Sequence, residues 1–389
     1  MATHCNVLQQ FTRTEESEFK GMIRYVPNRN RLLPSTTSIS NQPRLLASSL
    51  GQLDCLPAEL LLSVLDLLDF QSLSRLSRVS LLGKDVIEDL PVYWETVQHA
   101  PEALAVLGQT HLLSYHPATL LHSALRQSKC VSCLAFGGFL FLPTCERVCF
   151  ECLYENQALR MTSPAMAKEC FSLTDHDLQR IPVMHSVPGT FGLRFQFVHK
   201  QAERLVSVKQ AKELALEIHG SAEKLTRLRP TYRPGRTSMK DAAIFRHFHE
   251  APLDPPGCDL SRLPRKAEVV EDDFGGMASI RFPSLSDAGT DKGVLCQGCL
   301  VTYSHYMQGV LPQSTLSELV PVDVGPYRPL LALLTRLWST EGFAEHAHQC
   351  YGVRRILGHC RSCTLMVLKS LTAIHDQPAA YLRGDPFIT

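Results

Sequence analysis

Charge of one sign is what this 389-residue chain has least of: 39 Lys and Arg stand against 38 Asp and Glu, a net charge of +1. That balance gives no overall attraction to nucleic acid or to an anionic membrane, so an electrostatic partner has to be met by a local patch. Long apolar runs are missing as well. The stretch Leu134 to Pro143 is about half of the roughly 20 residues that a spanning helix needs, and it holds two glycines. The opening Met-Ala-Thr-His-Cys-Asn has neither the basic start nor the apolar run of a signal peptide, and Thr14 to Lys20 is polar and acidic, so an intracellular protein, cytoplasmic or nuclear, is expected. No HExxH, GxSxG, GxxxxGKS, GxxxxGKT or GxGxxG occurs, which leaves hydrolase, nucleotide and dinucleotide chemistry without an anchor. Self-similarity at the roughly 20–50 residue periods of repeat proteins is also absent.

What remains is ordinary in bulk, with 44% hydrophobic and 20% charged residues, the composition of a soluble globular protein of two or three domains. The exception is cysteine. Fourteen of them in a chain of the reducing cytosol read as thiols and metal ligands rather than as a disulfide framework.

Residues 56–79 carry more apolar positions than short helices can bury by themselves. Pro57 suits a helix start, where its missing N–H costs nothing, and Glu59 lies in the first turn, where the helix dipole favours negative charge. Leu60, Leu61, Val64, Leu65 and Leu68 then form an amphipathic stripe. Asp69 is placed to cap a second helix bearing Leu73, Leu76 and Val79, and Leu82, Val86 and Leu90 form a third set before Pro91. Isolated helices below about 12–15 residues are marginal, so these must hold one another and meet a further surface.

Leu56-Pro57, Glu59-Leu60-Leu61, Val64-Leu65, Leu68, Leu73, Leu76 and Val79-Ser80 resemble an F-box, the three-helix module that docks on the Skp adaptor of SCF ubiquitin ligases. The match covers about forty of the 389 residues. It departs from the family pattern at Ser72, where an acidic residue is usual, and at Leu81 to Gly83, where basic and aromatic residues are usual. The resemblance implies that Leu56, Pro57, Leu60, Leu61, Val64, Leu65, Leu68, Leu73, Leu76 and Val79 carry Skp packing or its supporting core. The plainer alternative is that residues 56–90 are the apolar faces of a helical core.

Cys130-Val-Ser-Cys133 and Cys149-Phe-Glu-Cys152 are separated by fifteen residues, the spacing of paired knuckles that supply four thiolates to one zinc. Cys145 is a spare donor nearby. A third pair, Cys296-Gln-Gly-Cys299, needs partners further along. His346 and Cys350, four apart, project from one helical face; Cys360-Arg-Ser-Cys363 is the other option. The first choice is supported by a loose resemblance to Cys-rich F-box proteins of filamentous fungi, in which a CxxC is followed by a helical His-x-x-x-Cys. Sets of four ligands leave no open position, so one or two zinc ions are expected in a structural role.

The remaining organisation reads as follows. Residues 1–51 lack periodicity and are expected to be disordered; 52–95 is the F-box-like module; 96–225 contains a helical linker and the first zinc module with mixed structure. Ala165 to Phe171, Asp175 to Arg180 and Val208 to His219 read as helices, the last stopped by Gly220, and Phe191 to His199 alternates like a strand. Residues 226–275, rich in Pro, Gly and charge, read as a flexible insertion, and 276–389 as a C-terminal region with the second zinc site and helical patterns at Leu330 to Trp338 and Glu341 to Leu357. The fold class expected is mainly α with some β. His247 and His249 are expected to be exposed, and the basic run Lys224 to Arg246 to be a solvated loop.

The functional expectation is a non-enzymatic substrate adaptor of a cullin-RING ligase, binding Skp through the F-box and an unknown protein substrate through the zinc-containing region, with no membrane and no nucleic acid. A zinc-containing nucleic-acid-binding or regulatory protein, contacting phosphate through the basic run, is the alternative. A metalloenzyme requires an open coordination position.

Overall fold

Prolines and short polar side chains decide where the helices begin. In the computed structural model, which describes residues 11–13, 19, 21–23, 48–194, 196–231, 233, 237–253, 274–320 and 325–359, strand β1 (Thr12–Arg13) precedes a run of six short helices. Helix α1 (Ala58–Leu65) starts directly after Pro57. Asp69 caps α2 (Phe70–Leu76) by accepting the Ser72 N–H at 2.9 Å, and Ser80 caps α3 (Leu81–Glu88) through the Gly83 N–H at 3.0 Å. Proline opens α4 (Pro91–His99) and α5 (Pro101–Gln109), and α6 (Ala118–Arg126) follows Pro117.

The chain then mixes small antiparallel sheets with helices. Hairpin β2 (Phe139–Phe141) and β3 (Glu146–Val148) leads into α7 (Phe150–Glu155) and β4 (Met161–Thr162). Next come α8 (Pro164–Phe171), α9 (Asp175–Leu178), β5 (Met184–His185), β6 (Gly189–Phe191), β7 (Phe197–His199) and β8 (Arg204–Ser207). Helix α10 (Val208–His219) ends at Gly220 with φ 82°, the left-handed stop that glycine adopts without strain. Helices α11 (Ala222–Leu228) and α12 (Met239–Glu250) are followed by β9 (Ser279–Arg281), β10 (Ser284–Ser286), β11 (Gly289–Asp291) and β12 (Val294–Cys296). The described chain closes with α13 (Gln297–Met307), α14 (Gln313–Leu319), α15 (Tyr327–Ala332), β13 (Leu337–Trp338), α16 (Thr340–Gln349) and α17 (Tyr351–His359). The protein is therefore mixed α+β, and no described helix is long and apolar enough to cross a membrane.

The helices of residues 58–126 share one apolar core with the sheet that follows them. Leu65, Phe70 and Leu73 belong to the same buried cluster as Leu121 and Leu125 of α6 and Phe139, Leu140 and Phe141 of β2. The Ala118 N–H donates to the Leu68 carbonyl at 2.9 Å, so α6 is tied by backbone to the end of the first helical hairpin. Between α4 and α6 lies the buried carboxylate of Glu95, which accepts from Arg126 Nε at 2.8 Å and meets His122 Nε2 at 2.7 Å. Burial alone would raise this carboxyl, but the hydrogen bonds from Arg126 and His122 outweigh it and hold Glu95 below its usual range. A second core gathers Phe171 of α8, Val208 and Ala211 of α10, and Phe245 and Phe248 of α12.

Five expectations are corrected. Within 1–51, Phe11, Phe19, Met22 and Ile23 are buried and Thr12–Arg13 pairs with β12, because Phe19, Met22 and Ile23 join the main core and Phe11 joins a C-terminal one. Within 226–275, Met239–Glu250 is a helix held by its buried phenylalanines; residues 254–273 lie outside the described ones. His247 is buried, and His249 Nε2 meets the Cys170 carbonyl at 2.8 Å, so neither is an exposed polar residue. Phe191 to His199 is the hairpin β6–β7 with Phe191 opposite Phe197 instead of one strand, and Leu330 to Trp338 divides into the end of α15 and β13.

Arg147, between two cysteines of the first pairings and only 2% exposed, is the hub that joins these parts. Its guanidinium donates to the carbonyls of Ala124 at 2.9 Å, Phe282 at 3.1 Å, and Gly137 and Pro283, tying α6, the β2 approach and the exit of β9 together. Burial, with the charge of Arg281 beside it, lowers Arg147 to about 9, which leaves it cationic at neutral pH. Replacing it by Met strands four carbonyls, and R147M is expected to lose about 3 kcal/mol or more of unfolding free energy in urea titrations. A loss within about 0.5 kcal/mol, the size of a surface change, would show that the hub carries no stability.

Candidate metal centres

Both centres use the same local device, a CxxC laid over the start of a helix. Cys149 is the N-cap of α7 and its sulfur accepts the Cys152 N–H at 3.4 Å. Cys296 ends β12 at the N-cap of α13, with Cys299 in the first turn. Unpaired N–H groups and the positive end of the helix dipole face sulfur there, which favours thiolate.

In the first centre the second pair comes from the loop between α6 and β2. The Cys130 N–H donates to the Ala135 carbonyl at 2.7 Å and Val131 N–H to the Arg147 carbonyl at 2.8 Å, folding the loop back on β3. Leu134 takes a left-handed φ of 64° to close the turn. The Ser132 N–H points at Cys130 Sγ at 3.4 Å, and Ser132 Oγ accepts from Asn156 Nδ2 at 3.1 Å, which binds the loop to the end of α7. As a result the sulfurs of Cys130, Cys133, Cys149 and Cys152 all lie within 4.8 Å of one another.

In the second centre α16 and the start of α17 complete the set. His346 lies on α16 and Cys350 at its C-cap, and the donor atoms of Cys296, Cys299, His346 and Cys350 again lie within 4.8 Å of one another. Helices α13 and α17 approach so closely that a Cβ on Gly298 would stand 2.4 Å from the Val353 nitrogen and 2.9 Å from Cys350 Sγ, and one on Gly352 would stand 1.8 Å from the Gly298 carbonyl oxygen. Only glycine fits at either point. The His346 ring is stacked at 3.8 Å on Trp338, over whose ring Arg336 also lies at 4.1 Å, so the imidazole is fixed before any ion arrives.

The distances fit a tetrahedral ion. Sulfurs bound at about 2.3 Å to zinc stand about 3.8 Å apart. Cys133 and Cys149 are 3.6 Å apart, Cys296 and Cys350 3.9 Å, and Cys299 Sγ is 3.2 Å from His346 Nε2. All are far beyond the 2.05 Å of a disulfide. The electrostatics point the same way. Burial would raise Cys130, but hydrogen bonds from Cys133, Cys149 and Cys152 outweigh it and hold this thiol well below the usual range. Hydrogen bonding to Cys130 in turn pushes Cys149 and Cys152 well above it. In the second set, hydrogen bonds from Cys296 and Cys299 lower Cys350, while hydrogen bonding to Cys296 and Cys350, with burial, raises Cys299. In each cluster one thiol is thus lowered while its partners are raised, a conflict that a bound cation would relieve. Soft sulfur-rich donors in tetrahedral array are geometrically plausible for zinc, and four protein ligands leave no position for a reacting water.

All eight residues expected as ligands are brought together in the two expected groups. Cys145, the spare, is buried with its thiol directed at the Leu142 carbonyl at 3.9 Å and takes no part. Cys360 and Cys363 lie outside the described residues. Trp338, Arg336 and Gly352 were not legible as parts of the centre, since no spacing marks them; Gly298 sits inside the CxxC itself. Of the positions expected to meet a partner, Leu65 and Leu73 are buried, Leu56, Leu61, Leu68 and Leu76 are half-buried, and Pro57, Leu60, Val64 and Val79 are exposed. No family model, curated protein or solved structure matches the chain.

Metal analysis of the purified chain is expected to give two equivalents of zinc, and Cys152→Ser one, with the second site retained. Gly298→Ala should lower occupancy at the second site alone, since the added methyl meets Cys350 and Val353. Two equivalents retained by Cys152→Ser would remove the first centre as drawn.

Proposed function

We propose that the protein is a non-enzymatic substrate adaptor of a cullin-RING ubiquitin ligase, docking on Skp through residues 56–90 and presenting a zinc-stiffened surface to a protein substrate inside the cell. The observation that carries this reading is an apolar face that the fold leaves uncovered. Leu60 is 55% exposed, Leu67 77%, Val79 74% and Leu81 55%, and Leu62 and Val64 join them, although α1–α3 already bury Leu65, Phe70, Leu73 and Ile87 inside. Single exposed leucines are commonplace, but six such residues between Leu60 and Leu81, on α1, at the start of α3 and in the turns around α2, are the kind of concentration that marks a binding surface.

The division of labour follows from burial. Leu65 and Leu73 hold the helices together; Leu60, Leu62, Val64, Leu67, Val79 and Leu81 meet the partner. Zinc in closed sites contributes folding free energy and fixes loops, which suits recognition and leaves bond chemistry to the ligase. The basic run is drawn partly into the fold: Arg229 lies 3.7 Å from Glu250 of α12, which makes phosphate binding the weaker reading.

Recombinant Skp adaptor is expected to co-purify one-to-one with the full chain, little changed between low and high salt, as apolar docking requires. The double variant Leu60→Glu, Leu67→Glu should keep its fold and both zinc ions while losing Skp binding by at least about a hundredfold, since two charges would enter an apolar interface. Undiminished binding by this variant, or no binding by the folded, zinc-loaded chain, would overturn the assignment.

A further inference from the structure

The edge of β12 is taken by a strand from the far end of the chain. Thr12 lies opposite Cys296 and Arg13 opposite Leu295, antiparallel, while β13 covers the other edge. The Gln297 N–H donates to the Phe11 carbonyl at 2.7 Å. Phe11 itself is 2% exposed, buried against Cys296, Cys299, Phe343, Ala347 and Cys350, so its pocket is built from both halves of the second metal centre. The Arg13 guanidinium donates to the Leu334 carbonyl at the end of α15. Phe11 immediately precedes the two-residue strand, of which Arg13 is the second residue, so the two anchors stand two positions apart.

Backbone pairing with an edge, plus pockets for alternate side chains, is how sheets bind extended peptides. Two paired residues form a short strand, and its hold on the edge rests mainly on one aromatic anchor and one arginine. We propose that the β12 edge is a peptide-docking groove, occupied in cis by residues 11–13, which receives from a protein substrate an extended segment carrying an aromatic residue followed two positions later by arginine. Assigning the partner as a ligase substrate rests on the adaptor reading; the groove and its chemistry do not. Because Cys296, Cys299 and Cys350 share the buried cluster of Phe11, a metal ion at the second centre is expected to hold the groove in shape.

The test uses the full chain and a fluorescein-labelled peptide with the sequence of residues 8–16, Leu-Gln-Gln-Phe-Thr-Arg-Thr-Glu-Glu. The Phe11→Ala chain, verified to hold two zinc ions, should bind the peptide at least tenfold more tightly than the unaltered chain, whose own segment competes at high effective concentration. An Ala in place of the peptide's Phe should weaken binding at least tenfold, and chelation of the metal should abolish it. Should Phe11→Ala fail to fold, hydrogen exchange on the unaltered chain serves instead: excess peptide should accelerate exchange of the Thr12 and Arg13 amides and leave α1–α3 unchanged. Failure of the zinc-loaded variant to bind, equal binding of the Ala peptide, or unaltered exchange overturns the groove. A chain that dimerises by trading residues 11–13 between copies, and excludes the peptide, assigns the edge to a second copy and overturns it equally. Loss of the Skp interaction with peptide binding intact would fail the adaptor reading alone.

Discussion

Four cysteine sulfurs held within 4.8 Å of one another have no comfortable charge state of their own. Fully protonated, they waste the helix N-termini that α7 and α13 turn toward them; ionised together, they repel in a medium that screens poorly. The hydrogen-bonded compromise, with Cys130 lowered in one cluster and Cys350 in the other while their partners are raised, is what remains without a cation. A divalent ion removes the conflict in both, and much else in the molecule is arranged around that fact. Arg147 organises the approach to the first centre from within its ligand loop, and the Gly298–Gly352 contact lets two helices close over the second.

The two centres sit differently in the fold. The first belongs to the main core, where Cys130, Cys133 and Cys152 are packed with the helices that carry the exposed apolar face. Stiffness at that centre therefore reaches the face through a continuous set of buried side chains. The second has a small core of its own, and its ligand His346 is braced by an aromatic–guanidinium stack instead of by deep burial. Main-core packing also extends to the N-terminal segment, which passes a slot of three glycines: a Cβ on Gly21 would stand 2.0 Å from the Gly192 carbonyl oxygen, and one on Gly276 2.2 Å from that of Gly21.

Much of this was readable from residue order. The CxxC pairs and the His-x-x-x-Cys step announced all eight candidate ligands because metal geometry imposes fixed local spacings, and Asp69, Pro91 and Gly220 marked helix ends because caps are local chemistry. What escaped depends on distant partners. Phe11 and Phe19 look like isolated aromatics in a polar stretch until β12 and β2 supply their neighbours. Phe245 and Phe248 gain their burial from α8 and α10, which overrides a local composition of charge and glycine. Within the apolar run 60–67, the stripe grouped Leu60, Leu61, Val64 and Leu65 together, and only the packed helices bury Leu65 while leaving Leu60, Leu62, Val64 and Leu67 at the surface.

The pairing of Thr12 with Cys296 also sets an order of events during synthesis. Helices α1–α6 and the four cysteines ending at Cys152 are local in sequence and close soon after they leave the ribosome. The second centre waits for Cys350, and until then Phe11 has no complete pocket to enter. Residues 11–13 thus stay unseated until their distant partners are made, and the chain carries an unmatched aromatic residue ahead of the helical module. Whatever shields that residue in the interim acts before the second centre is complete, so metal supply bears on the seating of residues 11–13 as well as on the closing of the first centre.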